Sequence, residues 1–232
     1  MHPALGTTDF GPFLAKIDPS ADVIYEFLPG VDGLRFLEQY RSYAGQSKAQ
    51  ILDAFGTGAA GSNLEQLKEK AVGIVGVDIF TEATGYPATE TFLKAWRAAN
   101  GNRLFTHDAP MGYAGAQVLE AALKQVNGNI EDTQKFLNAV YATNFDSAMG
   151  PMRLDENHDI VRNVYAYRVV KQGSGMGQEL LQTYKDVSDS WDRTRAQVDQ
   201  FPAGKLKDQW VGMTKEKLKG VAGCTSGCSQ AR

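Results

Sequence analysis

The sequence predicts an α/β fold organised on a parallel sheet, and two observations carry that expectation. Three short apolar runs, DVIYEFL at 22–28, AQILDAF at 49–55 and VGIVGVDI at 72–79, have the length and composition of buried strands, and each is followed by a helical segment. Turn-forming residues stand between them: Pro29-Gly30, then Gly56, Gly58 and Gly61, then Asn100-Gly101. Strands alternating with helices imply right-handed crossovers and a sheet with helices on both faces.

Taken in order, the chain opens on a helical pattern, with Phe10, Phe13, Leu14 and Ile17 at i, i+3, i+4 and i+7. Thr8 is its expected cap, and Pro12 sits in the first turn, where a missing N–H matters little. After the strand at 22–28 comes a helix carrying Leu34, Leu37, Tyr40 and Tyr43. After the strand at 49–55, Ser62 and Glu65 have capping-box spacing for a short helix ending near Lys70. Beyond the strand at 72–79, Pro87 occupies the first turn of a helix whose Phe92, Leu93 and Trp96 share a face.

Helices at 108–126 and 131–142 follow without an intervening strand, then strands at 152–154 and 160–170 joined by a polar turn at 155–159. Residues 172–177 read as a flexible glycine segment, and beyond Tyr184 the pattern weakens into a polar tail with an amphipathic helix near 205–219. The chain opens on a helix with no strand before it, and three parallel strands are few for a sheet. The expectation is therefore the later part of a larger α/β protein, with Met1 an internal methionine.

Composition narrows the function classes. A chain of 232 residues, 43% hydrophobic and 22% charged, has ordinary globular composition and room for one large domain or two small ones. The net charge of -3, with both signs interspersed, leaves no footprint for a polyanion, so nucleic acid is not an expected partner. No apolar run approaches the roughly 20 residues that cross a bilayer, and no export signal is visible in the chain as given. Cys224 and Cys228 lie in a Gly/Ser-rich tail without the two further ligands a zinc site needs.

The motif Gly56-x-Gly58-x-x-Gly61 follows a strand and precedes a helix, and Asp78 lies 22 residues beyond Gly56, as in a dinucleotide-binding unit. The helix behind it, NLEQLKEK, offers only Leu64 and Leu67 for packing, so half of that fingerprint is missing. An oxidoreductase stays an alternative, and no cofactor is expected. His2, His107 and His158 have no metal spacing and are expected at the surface. No G-x-S-x-G elbow occurs, and Glu131/Asp132 and Asp155/Glu156 fall at helix starts or turns, so no catalytic residue is assigned and an enzyme is not expected.

Rings remain. Phe27, Phe55 and Phe80 lie at or next to the carboxyl ends of the three strands, where α/β sheets bind ligands. The candidate ligand-binding residues are Pro29, Gly30, Phe55, Gly56, Phe80 and Thr81, with Phe80 and Thr81 the strongest pair. A small, partly apolar solute suits such a crevice.

Several segments, in order, carry a resemblance: TTDFGPFLAKI, ADVIYEFLPGVDGLRFLEQY, AVGIVGVDIFTEATGYPATETFLKAWRAANG, YAGAQVLEAALKQVNGNIEDTQKFLNAV and GPMRLDENHDIVRNVYAYRVV. From about Gly6 to Lys171 the chain resembles the second part of a type I periplasmic solute-binding protein of the leucine/isoleucine/valine-binding family, the receptors of ABC transporters. The resemblance implies two α/β lobes closing on a small solute, a membrane permease as partner and a periplasmic location. It assigns 1–103 to the second lobe, 104–150 to helices returning to the first, 151–171 to a hinge hairpin and 172–232 to an extension and tail. It also implies a signal peptide and an opening first-lobe segment that this sequence does not contain.

In the amino-acid binders of that family, an acid for the ligand amine stands where this chain has Phe55. A buried ammonium without a partner is costly, so the resemblance implies an aromatic or other carboxylate. Asp53, on the face of Phe55 by strand alternation, is the remaining acid for an amine. Branched-chain amino acid or amide binding, and a ligand-sensing module of a regulator, are the alternatives.

Overall fold

A computed structural model describes residues 1–43, 49–56, 60–101, 103–156 and 158–188, with Gln197 and Gln200 beyond them. The chain divides into two units, Met1–Ser188 and Asp189–Arg232, and the fold is that of the first. The expected helix at 205–219, the two cysteines and Gly58 lie outside the described residues.

The elements run α1 (Gly11–Leu14), β1 (Val23–Glu26), α2 (Val31–Ser42), β2 (Gln50–Ala54), α3 (Gly61–Leu67), β3 (Val75–Asp78), α4 (Pro87–Asn100), α5 (Asp108–Gln125) and α6 (Thr133–Tyr141). Four strands close the series: β4 (Asn144–Ser147), β5 (Gly150–Leu154), β6 (Ile160–Gln172) and β7 (Gly175–Val187). The three expected strands pair in parallel, β1 with β2 and β2 with β3. β6 then returns antiparallel to β3, so the α/β sheet is mixed.

β6 holds the sheet together because it is long enough to serve three neighbours. Its Arg162 pairs with both β5 and β7, and its Tyr165–Arg168 stretch pairs with both β3 and β7. A strand has two edges, so β7 takes one and β3 and β5 share the other end to end.

Two strands were not expected. Among the described residues β4, NFDS, is short and polar and pairs only with β5, and β7, a largely exposed strand, pairs only with β6. Each has a single strand neighbour among the described residues, as edge strands do, so neither needs an apolar run. The stretch expected as flexible at 172–177 is instead a hairpin turn, with Gly173 at φ 57°, and the residues expected to begin an extension continue the sheet to Val187.

One core cluster packs Phe10 and Leu14, the α2 residues Leu34, Phe36, Leu37 and Tyr40, and Leu64 and Leu67 of α3 over Ile51, Ile74, Tyr167 and Val169. A second joins Phe92 and Leu93 of α4 and Ala114 of α5 to Ile79, Phe80, Met149 and Met152. Ala122, Val126 and Ala139 fasten α5 to α6.

Two helices begin away from the residues expected to cap them. α1 is a single turn entered at Phe10, and the Gln39 carboxamide pins that entry by accepting from Phe10 N (2.7 Å) and donating to Thr8 O (2.8 Å). α3 begins at Gly61 after Ala60, which makes no side-chain cap bond, while Glu65 accepts from Leu104 N at 3.4 Å.

The buried hydroxyl of Tyr165 donates to Met149 O at 2.6 Å, tying β6 to the β4–β5 turn. Tyr165→Phe leaves that carbonyl unsatisfied and is expected to destabilise the fold by about 1–2 kcal/mol in urea unfolding. An unchanged midpoint would show that water replaces the bond.

Candidate functional site at the carboxyl ends of the strands

β1, β2 and β3 end side by side, and the residues just past each end build the site. Phe27, one residue beyond β1, is 59% exposed, and Phe55, one residue beyond β2, is 45% exposed. Their rings meet edge to face at 6.3 Å, and the His107 ring, just before α5, meets Phe55 edge-on at 5.6 Å. Three rings thus form an open row.

Phe55 has φ 61°, left-handed backbone that a bulky side chain rarely adopts and that costs on the order of 1–3 kcal/mol. Its N–H donates to Val77 O at 2.7 Å, fastening the turn to β3. Gly56 follows at φ 54°, and a Cβ there would lie 2.5 Å from the Tyr167 hydroxyl and 3.0 Å from Asp78 Oδ2, so the position excludes any side chain. Pro29 and Gly30 are exposed between β1 and α2, and Gly30 O accepts from Asn63 Nδ2 at 2.8 Å, tying the first loop to α3.

Phe80 and Thr81 are both buried, and of the two only Phe80 reaches the wall of a cavity. Phe80 is buried in the second core cluster, with rings of Phe92 and Phe105 against it. Thr81 is fully enclosed: its hydroxyl donates to Gln178 Oε1 at 2.7 Å and accepts from Ala83 N at 3.2 Å, capping the short 3-10 turn Glu82–Thr84. Past β3 the Thr81 side chain turns inward while Phe80, Glu82 and Ala83 line a cavity, which is why Thr81 is not presented as Phe27 and Phe55 are.

Beneath the rings lies a layer of buried acids set by register. Glu26 stands opposite Asp53, Asp53 opposite Gly76, and Gly76 opposite Tyr167, one row across four strands. Asp78, two residues beyond Gly76, shares that face by the period of a strand. Glu26 Oε2 accepts from Leu28 N (2.9 Å) and Asp78 Oδ1 from Ile79 N (2.6 Å). Burial first, and then the adjacent Asp53 charge, push the Glu26 carboxyl up to about 9. Burial also raises Asp78, although the His107 hydrogen bond pulls the other way.

His107 is therefore no surface residue. Its Nδ1 lies 3.0 Å from Asp78 Oδ2, its side chain is only 17% exposed, and the Asp78 hydrogen bond raises its affinity for a proton against the opposing effect of burial. Asp53 also departs from expectation: it is fully enclosed, because the left-handed turn at Phe55 breaks the alternation that would place both on one face. The available signal was an acid at or near the end of each of three apolar runs.

A cavity of about 420 Å3 adjoins the row, with Gly61, Asp78, Phe80, Trp96, Phe105 and His107 in its wall. That volume is in the range of small-molecule sites. Of the ring row only His107 lines it, so His107 is where cavity and row meet. Among the described residues no group of three His, Cys, Asp or Glu side chains is placed to hold a metal, and no helix is long and apolar enough to cross a membrane.

Known proteins match this arrangement. Residues 2–174 match the profile of the periplasmic binding protein family. The Leu/Ile/Val-binding protein homolog 6 of Brucella melitensis is 28% identical over 190 residues, 80% of this chain and 48% of its own length. An ABC transporter substrate-binding protein from Sphaerobacter thermophilus superposes with TM-score 0.73 at 26% identity, covering 78% of this chain and 50% of that one. A solute-binding protein of an ABC transporter from R. palustris, in complex with 4-hydroxybenzoate, gives 0.69 at 26% identity, with 80% and 51% covered. The chain thus spans about half the length of these relatives, and by profile, relatives and fold it belongs to the periplasmic binding protein family, of the type I, leucine/isoleucine/valine-binding kind.

Proposed function

We propose that this chain is a solute-binding portion of an ABC importer receptor, taking an aromatic carboxylate or similar small organic acid at the strand ends. The observation that carries this reading is the open row Phe27–Phe55–His107, whose central ring is held on strained backbone. A flat ring packs on such edges, and each aromatic contact contributes about 0.5–1.5 kcal/mol beyond area burial. The R. palustris relative, crystallised with 4-hydroxybenzoate, supports the same class. An amino acid fits less well: Phe55 brings no charge to the rim, and Asp53 is sealed beneath it.

On this reading the protein binds and does not catalyse, acts in the periplasm and hands its solute to a membrane permease. Its affinity comes from lobe closure, with contacts made only when closed. Residues 1–103 belong to the second lobe, 104–150 return to the first, and β6, shared between β3 and β5, lies at the crossing.

Calorimetric titration of the full chain with 4-hydroxybenzoate and with leucine tests the proposal. Phe55→Gly is expected to weaken the aromatic acid about tenfold, the equivalent of one lost ring contact, while leaving the fold as stable or more so through relief of the positive φ. Binding of leucine alone would overturn the aromatic assignment.

A further inference from the structure

We propose that His107 receives the solute carboxylate through Nε2, with Asp78 as the positioning residue that holds the ring by Nδ1. This rests on the reading of the strand ends as the site of an aromatic acid, and it names the group that recognises the acid's charge.

The geometry supplies three parts of the case. Asp78 is buried and fixed on two sides, by Ile79 N at 2.6 Å and by His107 Nδ1 at 3.0 Å. With Asp78 ionised, its carboxylate on Nδ1 requires a proton there, which orients the imidazole and sets its tautomer. Nε2 is then the only ring nitrogen left to meet a ligand. The nearest acid to it among the described residues, Asp108 Oδ1, lies 3.8 Å away, outside hydrogen-bond range, and the other Asp108 oxygen already accepts from the Thr106 hydroxyl at 2.6 Å. His107 also stands at the junction of the ring row and the cavity, in edge contact with Phe55. A ring laid on Phe55 brings its carboxylate within reach of Nε2.

The arrangement makes recognition conditional on a proton. With Nδ1–H committed to Asp78, the neutral imidazole presents a lone pair at Nε2 and repels a carboxylate. The imidazolium presents an N–H and binds it through a charge-assisted hydrogen bond. The charged groups facing His107 are Asp78 and Asp108, which favour the imidazolium, and Arg162, which opposes it. The start of α5, at the same place, adds the positive end of an 18-residue helix. Glu26 retains its proton in this layer, so the acid floor opposes an incoming anion less than three carboxylates would.

The test is a titration of the full chain with 4-hydroxybenzoate and its neutral isostere 4-hydroxybenzamide across the histidine range, about pH 6 to 8. The dissociation constant of the acid is expected to rise about tenfold per pH unit above the His107 midpoint, because one proton is linked to binding, while that of the amide stays flat. His107→Gln should remove the pH dependence and weaken the acid at pH 6 at least tenfold, leaving the amide within twofold. Asp78→Asn keeps an acceptor for Nδ1–H but removes the charge, so the midpoint should move to lower pH with the low-pH affinity retained, which a merely structural role would not produce.

Equal pH profiles for acid and amide in the wild-type chain would overturn the assignment while leaving the aromatic site standing. Loss of acid preference in Arg103→Gln, in place of His107→Gln, would move the receptor to another cation of the cavity wall. Binding of neither probe would overturn the aromatic site itself.

Discussion

Gly76→Ala is expected to destabilise the fold by about 3 kcal/mol, the upper range for overpacking a core. Gly76 lies in β3 directly opposite Asp53 on one side and Tyr167 on the other. The Tyr167 ring lies across it: a Cβ at 76 would overlap Cζ and stand 2.6 Å from both Cε2 and the hydroxyl oxygen. Those atoms belong to a ring that is almost fully enclosed within the first core cluster, so the ring has nowhere to swing. Its hydroxyl also fills the space over Gly56, so displacing the ring disturbs the turn that presents Phe55.

Urea unfolding measures the effect, and a double-mutant cycle identifies its cause. In a Tyr167→Ala background the added methyl should cost far less, because the clashing ring is gone. Gly112→Ala is the control: nothing lies within 4 Å of that position in α5, and a helical glycine replaced by alanine is expected to gain about 0.5–1 kcal/mol. A loss at Gly76 that persists without Tyr167 would mean that β3 itself rejects the methyl.

β1, β2, β3 and the helices from α4 to α6 were readable in the sequence because each carries its own apolar run or helical period. So was the turn at 155–159, where Asp155 N donates to Asp159 O and Asp159 N to Asp155 Oδ1. β4 and β7 were not, since edge strands keep polar side chains. Phe27 and Phe55 followed from the rule that ligands gather beyond parallel strand ends.

The layer under them did not follow from any rule of spacing. Glu26, Asp53 and Asp78 lie one to a strand and become neighbours only through register. Gly76 is the gap in β3 that admits Tyr167. His107 looked solitary among three scattered histidines until the fold set it 3.0 Å from Asp78. Thr81 was misplaced for a related reason, since the expected climb of the third loop to the rim is diverted by its bond to Gln178, a residue of the unexpected β7.

Glu26→Gln is expected to flatten the alkaline side of the stability profile. Glu26 and Asp53 are buried and directly opposed on adjacent strands, so the folded chain holds a proton on Glu26 up to about pH 9, against an ordinary value of 4.5. The unfolded chain gives that proton up near pH 4.5. Between those two values the folded state binds more protons than the unfolded one, so stability falls as pH rises, by at most about 1.4 kcal/mol per pH unit. Below the window both states are protonated and the pair has no effect; above it both are ionised and the loss is complete.

Glutamine imitates the protonated form. Its carbonyl can keep the bond from Leu28 N, and its amide can donate toward Asp53. The variant should match the wild type near pH 4.5 and exceed it increasingly toward pH 8, in urea midpoints taken at constant ionic strength. His107 and Asp78, both raised from their ordinary values, are not altered by the substitution, so whatever slope they contribute persists in the variant. A variant with the full wild-type slope would assign the pH dependence to that second pair and show that Glu26 reaches water at the rim. A flattened slope would mean that the floor under Phe55 holds a proton throughout the neutral range, the charge state that would oppose the proposed anionic solute least.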